Sequence, residues 1–216
     1  MSPLPAAEKR KLWAIGARRR DGRTPDANAL VRTLRALAPE SEALVALFDA
    51  RAIAGERHLL SAWAHLGRSR EHGEPRLRDR GAEFALYVAG EDQLGRALAK
   101  VGVAADTERF VLVAERPLEI EPLLARFSLV VDPDAYPVPP SEATLDRLGI
   151  GAADRATVPP GSWEGLVLER VAMVDLSAAA GGGSDEARSR RAAPSIPPVT
   201  GAHSGRVPPT GPKAKH

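Results

Sequence analysis

Residues 81–90 constrain the chain more than any other stretch. Gly81-Ala82-Glu83-Phe84-Ala85-Leu86-Tyr87-Val88-Ala89-Gly90 carries a nearly unbroken apolar run that ends on a glycine. The run from Ala82 to Val88 is too apolar for a surface strand. Its mixture of small and large side chains suits a helix buried on every side, with a buried strand as the alternative that periodicity leaves open. Gly90 can take the left-handed backbone that ends a helix, and Glu91 or Asp92 is placed to cap the amides of the next one. Leu94, Ala97, Leu98 and Val101 then repeat at helical spacing as far as Gly102. The expectation is two helices joined by a bend at Gly90. Glu83 and Tyr87, four residues apart, share a helical face and are expected to hydrogen-bond, and Glu83 and Asp92 could face each other across the bend.

A helix buried on all sides needs layers around it, and the flanking sequence supplies them. Upstream, Leu12–Ala17 reads as a strand running into Arg18, Arg19, Arg20 and Arg23. Thr24, with Pro25 at the first helical position, then reads as the cap of a helix that Pro39 stops. Ala43–Ala50 suits a buried strand. Gly55 turns the chain into a helix over about Glu56–Ser69, with Leu59, Ala62, Trp63 and Leu66 as its buried stripe. Downstream, Arg109–Glu115 is the strongest strand, followed by a helix over Leu118–Phe127, a last strand at Ser128–Val131 and a helix over Ser141–Leu148 closed by Gly149-Ile150-Gly151. Ser162 is placed to cap a final helix through Trp163, Leu166, Val167, Arg170, Val171 and Val174. Its apolar positions cover more than one face, so it is either deeply buried or half-buried with a partner surface besides.

These elements predict an α/β protein of the α+β kind: a small central sheet of about four strands packed with several helices, in a single domain over residues 12–177. Residues 1–11 read as a flexible N-terminal arm. From Ala178 the composition turns to Gly, Pro, Ser and Arg without periodicity, so residues 178–216 are expected to form a disordered basic tail.

Charge follows the same division. The net charge is +2, yet residues 1–23 carry +5 and residues 178–216 carry +4, which leaves −7 on the stretch between. The basic character therefore belongs to the ends, where it can attract a polyanion across about one Debye length, roughly 8 Å. Arginine outnumbers lysine 25 to 5, which favours phosphate forks but also follows from a GC-rich genome. The basic run at 18–23 and the cluster Arg76, Arg78 and Arg80 each read as a solvated edge or as a phosphate contact. The chain has no cysteine, so disulfides and thiolate metal sites are excluded. No apolar run reaches the roughly 18–20 residues that span a bilayer and the N-terminus lacks a signal peptide's apolar core, so a cytoplasmic protein is expected.

The chemistry-bearing residues do not assemble into a catalytic set. There is no Gly-x-Ser-x-Gly elbow, no phosphate-binding glycine loop and no pair of histidines four apart. His58, His65 and His72 recur every seven residues, about 10.5 Å apart along a helix axis, which is too far for one ion whose ligand nitrogens lie about 2.1 Å away. Neither metal nor cofactor is expected. His58, at a helix start, reads as a capping or packing residue or as one that faces RNA.

Three pieces of the chain resemble a known family. Glu83-Phe84-Ala85-Leu86-Tyr87-Val88-Ala89-Gly90 with Gln93-Leu94 and Gly102-Val103, Asp49-Ala50-Arg51 with Gly55 and His58, and Leu168-Glu169-Arg170-Val171-Ala172 follow one another in an order and spacing similar to the PRPK-binding-protein (TPRKB-like) family over residues 12–177. These proteins are the accessory subunits of the archaeal and eukaryotic KEOPS complex, and the chain is most similar to archaeal members. The resemblance implies a small α/β protein without catalytic activity of its own. It implies binding to the complex's kinase-like ATPase subunit and, through it, to the threonylcarbamoyltransferase subunit that makes threonylcarbamoyl-adenosine in tRNA. It also implies recruitment of tRNA by its unpaired 3′ CCA end. The motif positions are Arg51, His58, Gly90, Gln93 and Leu94 for tRNA, and the last helix, with Trp163, Val167, Arg170, Val171 and Val174, for the partner. Archaeal relatives often carry a basic residue before the glutamine, where this chain has Glu91-Asp92, so a general RNA-binding protein acting through its basic termini is the alternative reading.

Overall fold

The computed structural model describes residues 12–20, 26–37 and 43–191. At its centre is a four-stranded, wholly antiparallel sheet of β1 (Trp13–Arg19), β2 (Val45–Asp49), β3 (Arg109–Ala114) and β4 (Leu129–Val131) in the order β2-β3-β1-β4. β3 pairs on both sides, Leu112 lying opposite Ile15 on one and Leu47 on the other. Among the described residues there are eight α-helices: α1 (Ala27–Leu37), α2 (Glu56–Glu71), α3 (Arg80–Ala89), α4 (Leu94–Val101), α5 (Glu121–Arg126), α6 (Glu142–Leu148), α7 (Ala152–Arg155) and α8 (Trp163–Arg191).

Both faces of the sheet are covered, and the two-residue period of β3 divides the core between them. Phe110, Leu112 and Ala114 join Val45, Leu47, Leu30, Leu123 and Leu124 in the layer under α1 and α5. Val111 and Val113 join Phe48 and the buried side chains of α2, α3, α4, α6 and α8 on the other face. A strand buried on both faces needs no polar alternation, which is why Phe110–Ala114 reads as continuous apolar sequence.

α3 sits inside the second layer. From Glu83 to Ala89 every side chain is buried, so the helical reading of the central run holds and the strand alternative does not. Asp79 caps it by accepting from the Ala82 amide at 2.7 Å. Its first turn lies against β2 so closely that a Cβ on Gly81 would stand 2.5 Å from the Val45 carbonyl oxygen. Gly90 ends it in left-handed backbone, φ +63°, donating to the Tyr87 carbonyl at 3.1 Å.

Several local readings are corrected. Neither Glu91 nor Asp92 caps α4: its N-cap is Gln93, with no side-chain bond. Both carboxylates are taken by downstream cations instead, Glu91 by Lys100 at 2.6 Å and Arg96 at 2.9 Å, and Asp92 by Arg96. α5 starts at Glu121 rather than Leu118, because Pro122 sets its first turn. The α1 cap is Asp26, which accepts from the Asn28 and Ala29 amides; Thr24 and Pro25 lie outside the described residues. α2 runs on to Glu71, and α7, unforeseen, forms where Asp154 accepts from the Gly151 amide at 3.2 Å. α8 extends through the change of composition to Arg191, and the compact unit closes at Gly181. Residues 1–11 and 192–216 lie outside the described residues. No helix among the described residues is long and apolar enough to cross a membrane.

The Gly90 bend makes a specific prediction. A Cβ there would meet the Arg170 side chain at 3.1 Å and its carbonyl oxygen at 3.2 Å, in backbone that L-residues occupy at a cost. Gly90→Ala should therefore lower the stability of the domain by about 1–2 kcal/mol, read as a reduced urea midpoint with an unchanged slope. An unchanged midpoint would contradict the close packing of α8 on the bend.

Candidate functional site

The residues singled out in the sequence fall into three environments: a locked turn after β2, the bend before α4, and α8.

Arg51 lies in a single 3-10 turn, Ala50–Ala52, directly after β2. Its Nε and Nη2 donate to Asp49 at 3.0 and 2.6 Å, and its Nη1 donates to Asp106 at 2.9 Å. Asp49 is fully buried and also accepts from Thr107 Oγ1 at 2.8 Å and Arg147 Nη2 at 3.1 Å. Burial alone would push the Asp49 carboxyl up, but the bonds from Arg51 and Thr107 and the charge of Arg147 outweigh it and hold the group below 3.8. Those same carboxylates push the Arg51 guanidinium up. The fork that the sequence offered to phosphate is therefore occupied, and Asp49 ties the end of β2 to α6 through Arg147.

His58, expected either to pack or to face RNA, packs. It is fully buried at the start of α2. Nδ1 accepts from the Ala54 amide at 3.1 Å, so Nε2 carries the proton and donates to the Val88 carbonyl at 2.9 Å, near the end of α3. No nucleic acid can reach it, and the RNA-facing reading is corrected. Desolvation lowers its pKa from the ordinary 6.5 to about 4, so the ring is neutral at physiological pH.

At the bend, Gly90 is half-buried under Arg170, and Leu94 is half-buried against the core. Gln93 is exposed, and its side chain makes no cap bond. Because Arg96 and Lys100 hold Glu91 and Asp92, the two carboxylates do not leave the bend with an uncompensated negative charge. Glu83 lies away from Asp92. Fully buried, it accepts from Arg70 Nη2 at 2.7 Å, Ser69 Oγ at 3.0 Å and the Arg76 amide at 3.1 Å, and so secures the loop before α3. Its expected bond to Tyr87 does not form: the Tyr87 hydroxyl has no hydrogen-bond partner among the described residues.

On α8 the expected partner surface is turned inward. Val167, Val171 and Val174 are 1%, 0% and 2% exposed. They form the stripe that packs on the core, so as contact residues for a partner they are corrected. Trp163 is half-buried, and Arg170 reaches across to the Gly149 carbonyl at 2.7 Å. The outward face carries Met173 and Leu176, exposed by 54% and 61%, beside the half-buried Leu166. Leu166 and Met173 line a shallow groove of about 330 Å³ whose far wall is Ile150, Asp154 and Thr157. Apolar positions on more than one face of α8 gave the sequence no means of separating its inner valines from its outer residues.

Among the described residues no group of three or more His, Asp or Glu side chains is placed to hold a metal ion. The three histidines diverge: His58 faces α3, His65 Nδ1 meets Asp175 at 2.5 Å, and His72 is exposed. No protein-family model matches the chain, and no curated protein matches it either.

The buried His58 predicts a pH dependence. Its folded pKa lies below its unfolded one, so the unfolded chain binds the extra proton between about pH 6.5 and 4. Stability is complete above that window and falls as pH drops through it, by about 3 kcal/mol in total. His58→Gln, which is neutral and can both donate and accept, should flatten the unfolding free energy between pH 7 and pH 4.5. An equally steep profile in the variant would show that other groups carry the effect.

Proposed function

We propose that this chain is a non-catalytic docking subunit of KEOPS type in the cytoplasm, binding the kinase-like ATPase subunit through the outward face of α8. Through that subunit it joins the threonylcarbamoyltransferase subunit and helps bring in tRNA by its 3′ CCA end. The resemblance of the segments around Arg51, Gly90 and Arg170 supports this reading. The observation that carries it is the pair Met173 and Leu176, left exposed on a helix whose opposite stripe is buried. Exposed apolar groups of this size on a rigid helix mark a surface made to be covered. The same reading assigns RNA contact to the bend, where Gln93 is exposed with an amide that the α4 cap does not use. Arg51 and His58 serve it as scaffold, since their polar groups are spent inside the domain.

The test is binding to the purified ATPase subunit. Met173→Asp with Leu176→Asp should weaken the complex at least about tenfold without altering the thermal midpoint, because both side chains are exposed. tRNA binding should fall when the CCA end is removed and again, more modestly, in Gln93→Ala. Failure to bind the ATPase subunit, or equal binding by the doubly substituted chain, contradicts the docking reading.

A further inference from the structure

The groove between α8 and the Ile150–Thr157 segment combines an apolar floor with carboxylates that have no cation. Ile150, Leu166 and Met173 form the floor, and Asp154, Thr157 and Glu169 stand on the walls. The one cation on the groove does not serve them. Arg170 donates from Nη2 to the Gly149 carbonyl at 2.7 Å and lies beyond ion-pair distance of both carboxylates. Neighbouring Arg155 is committed to Asp146 and to the Ile150 carbonyl at 3.0 Å. The Thr157 hydroxyl spends its proton on the Asp154 carbonyl at 2.6 Å. One Asp154 oxygen takes the Gly151 amide at 3.2 Å. The other, and both oxygens of Glu169, accept no hydrogen bond among the described residues. The unspent capacity of Asp154, Thr157 and Glu169 is thus all acceptor.

Helix geometry ties those acceptors to the docking face. Glu169, Met173 and Leu176 stand at i, i+4 and i+7, on one side of α8, and all three are exposed. A partner that covers Met173 and Leu176 therefore takes Glu169 out of water as well. A carboxylate buried without a counter-charge opposes association, whereas one that meets a cation with good hydrogen-bond geometry does not. Phosphate and nucleic acid bring the wrong sign. An apolar side chain would fill the floor and leave both carboxylates desolvated. A second copy docked by a two-fold axis would set the same acidic face against itself. Arginine satisfies both parts of the groove: its methylene stem suits the apolar floor, and its planar fork is less strongly hydrated than an ammonium and matches carboxylates.

We propose that this groove receives an arginine side chain inserted by the docked partner. The guanidinium pairs with Glu169 and Asp154, and the methylenes lie on Leu166 and Met173. The groove of about 330 Å³ has the room of roughly ten waters at about 30 Å³ each, enough for one such side chain. The inference rests on the docking reading for the source of the arginine, and on the groove alone for the choice of arginine. It adds the chemistry of the contact: the partner presents an arginine beside the apolar patch that meets Met173 and Leu176.

The experiment has two arms. In the first, amide resonances of the full chain are followed during titration with Nα-acetyl-arginine N-methylamide and with its citrulline counterpart, which has the same shape without the charge. The expected result is saturable shifts confined to residues 150–157 and 166–173, with the citrulline compound bound about tenfold more weakly. Glu169→Gln should weaken the arginine probe by a similar factor at an unchanged thermal midpoint, because Glu169 is exposed. In the second arm, Glu169→Lys should weaken the complex with the ATPase subunit by about tenfold, a gap that narrows as salt is raised. The proposal is overturned if the arginine probe gives no saturable shifts, if citrulline binds as tightly, or if Glu169→Gln changes nothing. It is overturned too if the same resonances shift with protein concentration alone, which would put a second copy in the groove, or if Glu169→Lys binds the ATPase subunit as tightly as the parent. The docking reading fails separately, when the parent chain binds the arginine probe but not the ATPase subunit.

Discussion

The fold depends on burying α3 from every direction while meeting its buried carboxylate and its C-terminal carbonyls from neighbouring elements. A helix enclosed by α2, α4, α8 and the sheet cannot send its carbonyls or its one carboxylate to water, and each such group left unmet costs about 1–3 kcal/mol. The chain meets the demand from neighbouring elements. Arg70, Ser69 and the Arg76 amide satisfy Glu83. His58 donates to the Val88 carbonyl, and Gly90 turns the helix end beneath Arg170. The surrounding helices are thereby fixed at contact distance, and α8 lays Val167, Val171 and Val174 on that core.

That arrangement explains how the candidate residues are divided. Side chains near α3 are used to keep it soluble in the interior, so His58 and Glu83, both attractive as chemistry-bearing groups, are structural. Arg51 is structural in the same way through Asp49. What remains outside the packing is the exposed Gln93 at the bend and the Met173 and Leu176 face of α8. These lie on regular elements or at their ends, where a rigid backbone sets their positions.

Much of the architecture was legible in the sequence because it rests on local rules. The Phe110–Ala114 run, the Gly90 terminator and the Ser141 cap each specify their element with few residues, and all four strands form where the apolar runs place them. Tertiary competition was not legible. Glu91 and Asp92 have the chemistry of caps, but Arg96 and Lys100, one to two turns on, offer a stronger electrostatic partner than a backbone amide. His58 and the α8 valines were located correctly along the chain, yet which way they faced depended on helices distant in sequence. Periodicity could not decide the orientation of a helix whose apolar positions cover more than one face, and only its burial in the core does so.

In the proposed docking, the kinase-like ATPase subunit covers the outward face of α8 while the α3 bundle stays unchanged beneath it. Hydrogen–deuterium exchange of the chain with and without that subunit tests this directly. The account predicts new protection concentrated over residues 163–177 and none over 82–89, which is already fully buried. Protection centred on the β4 edge or on α1, or no difference between the two states, would contradict it.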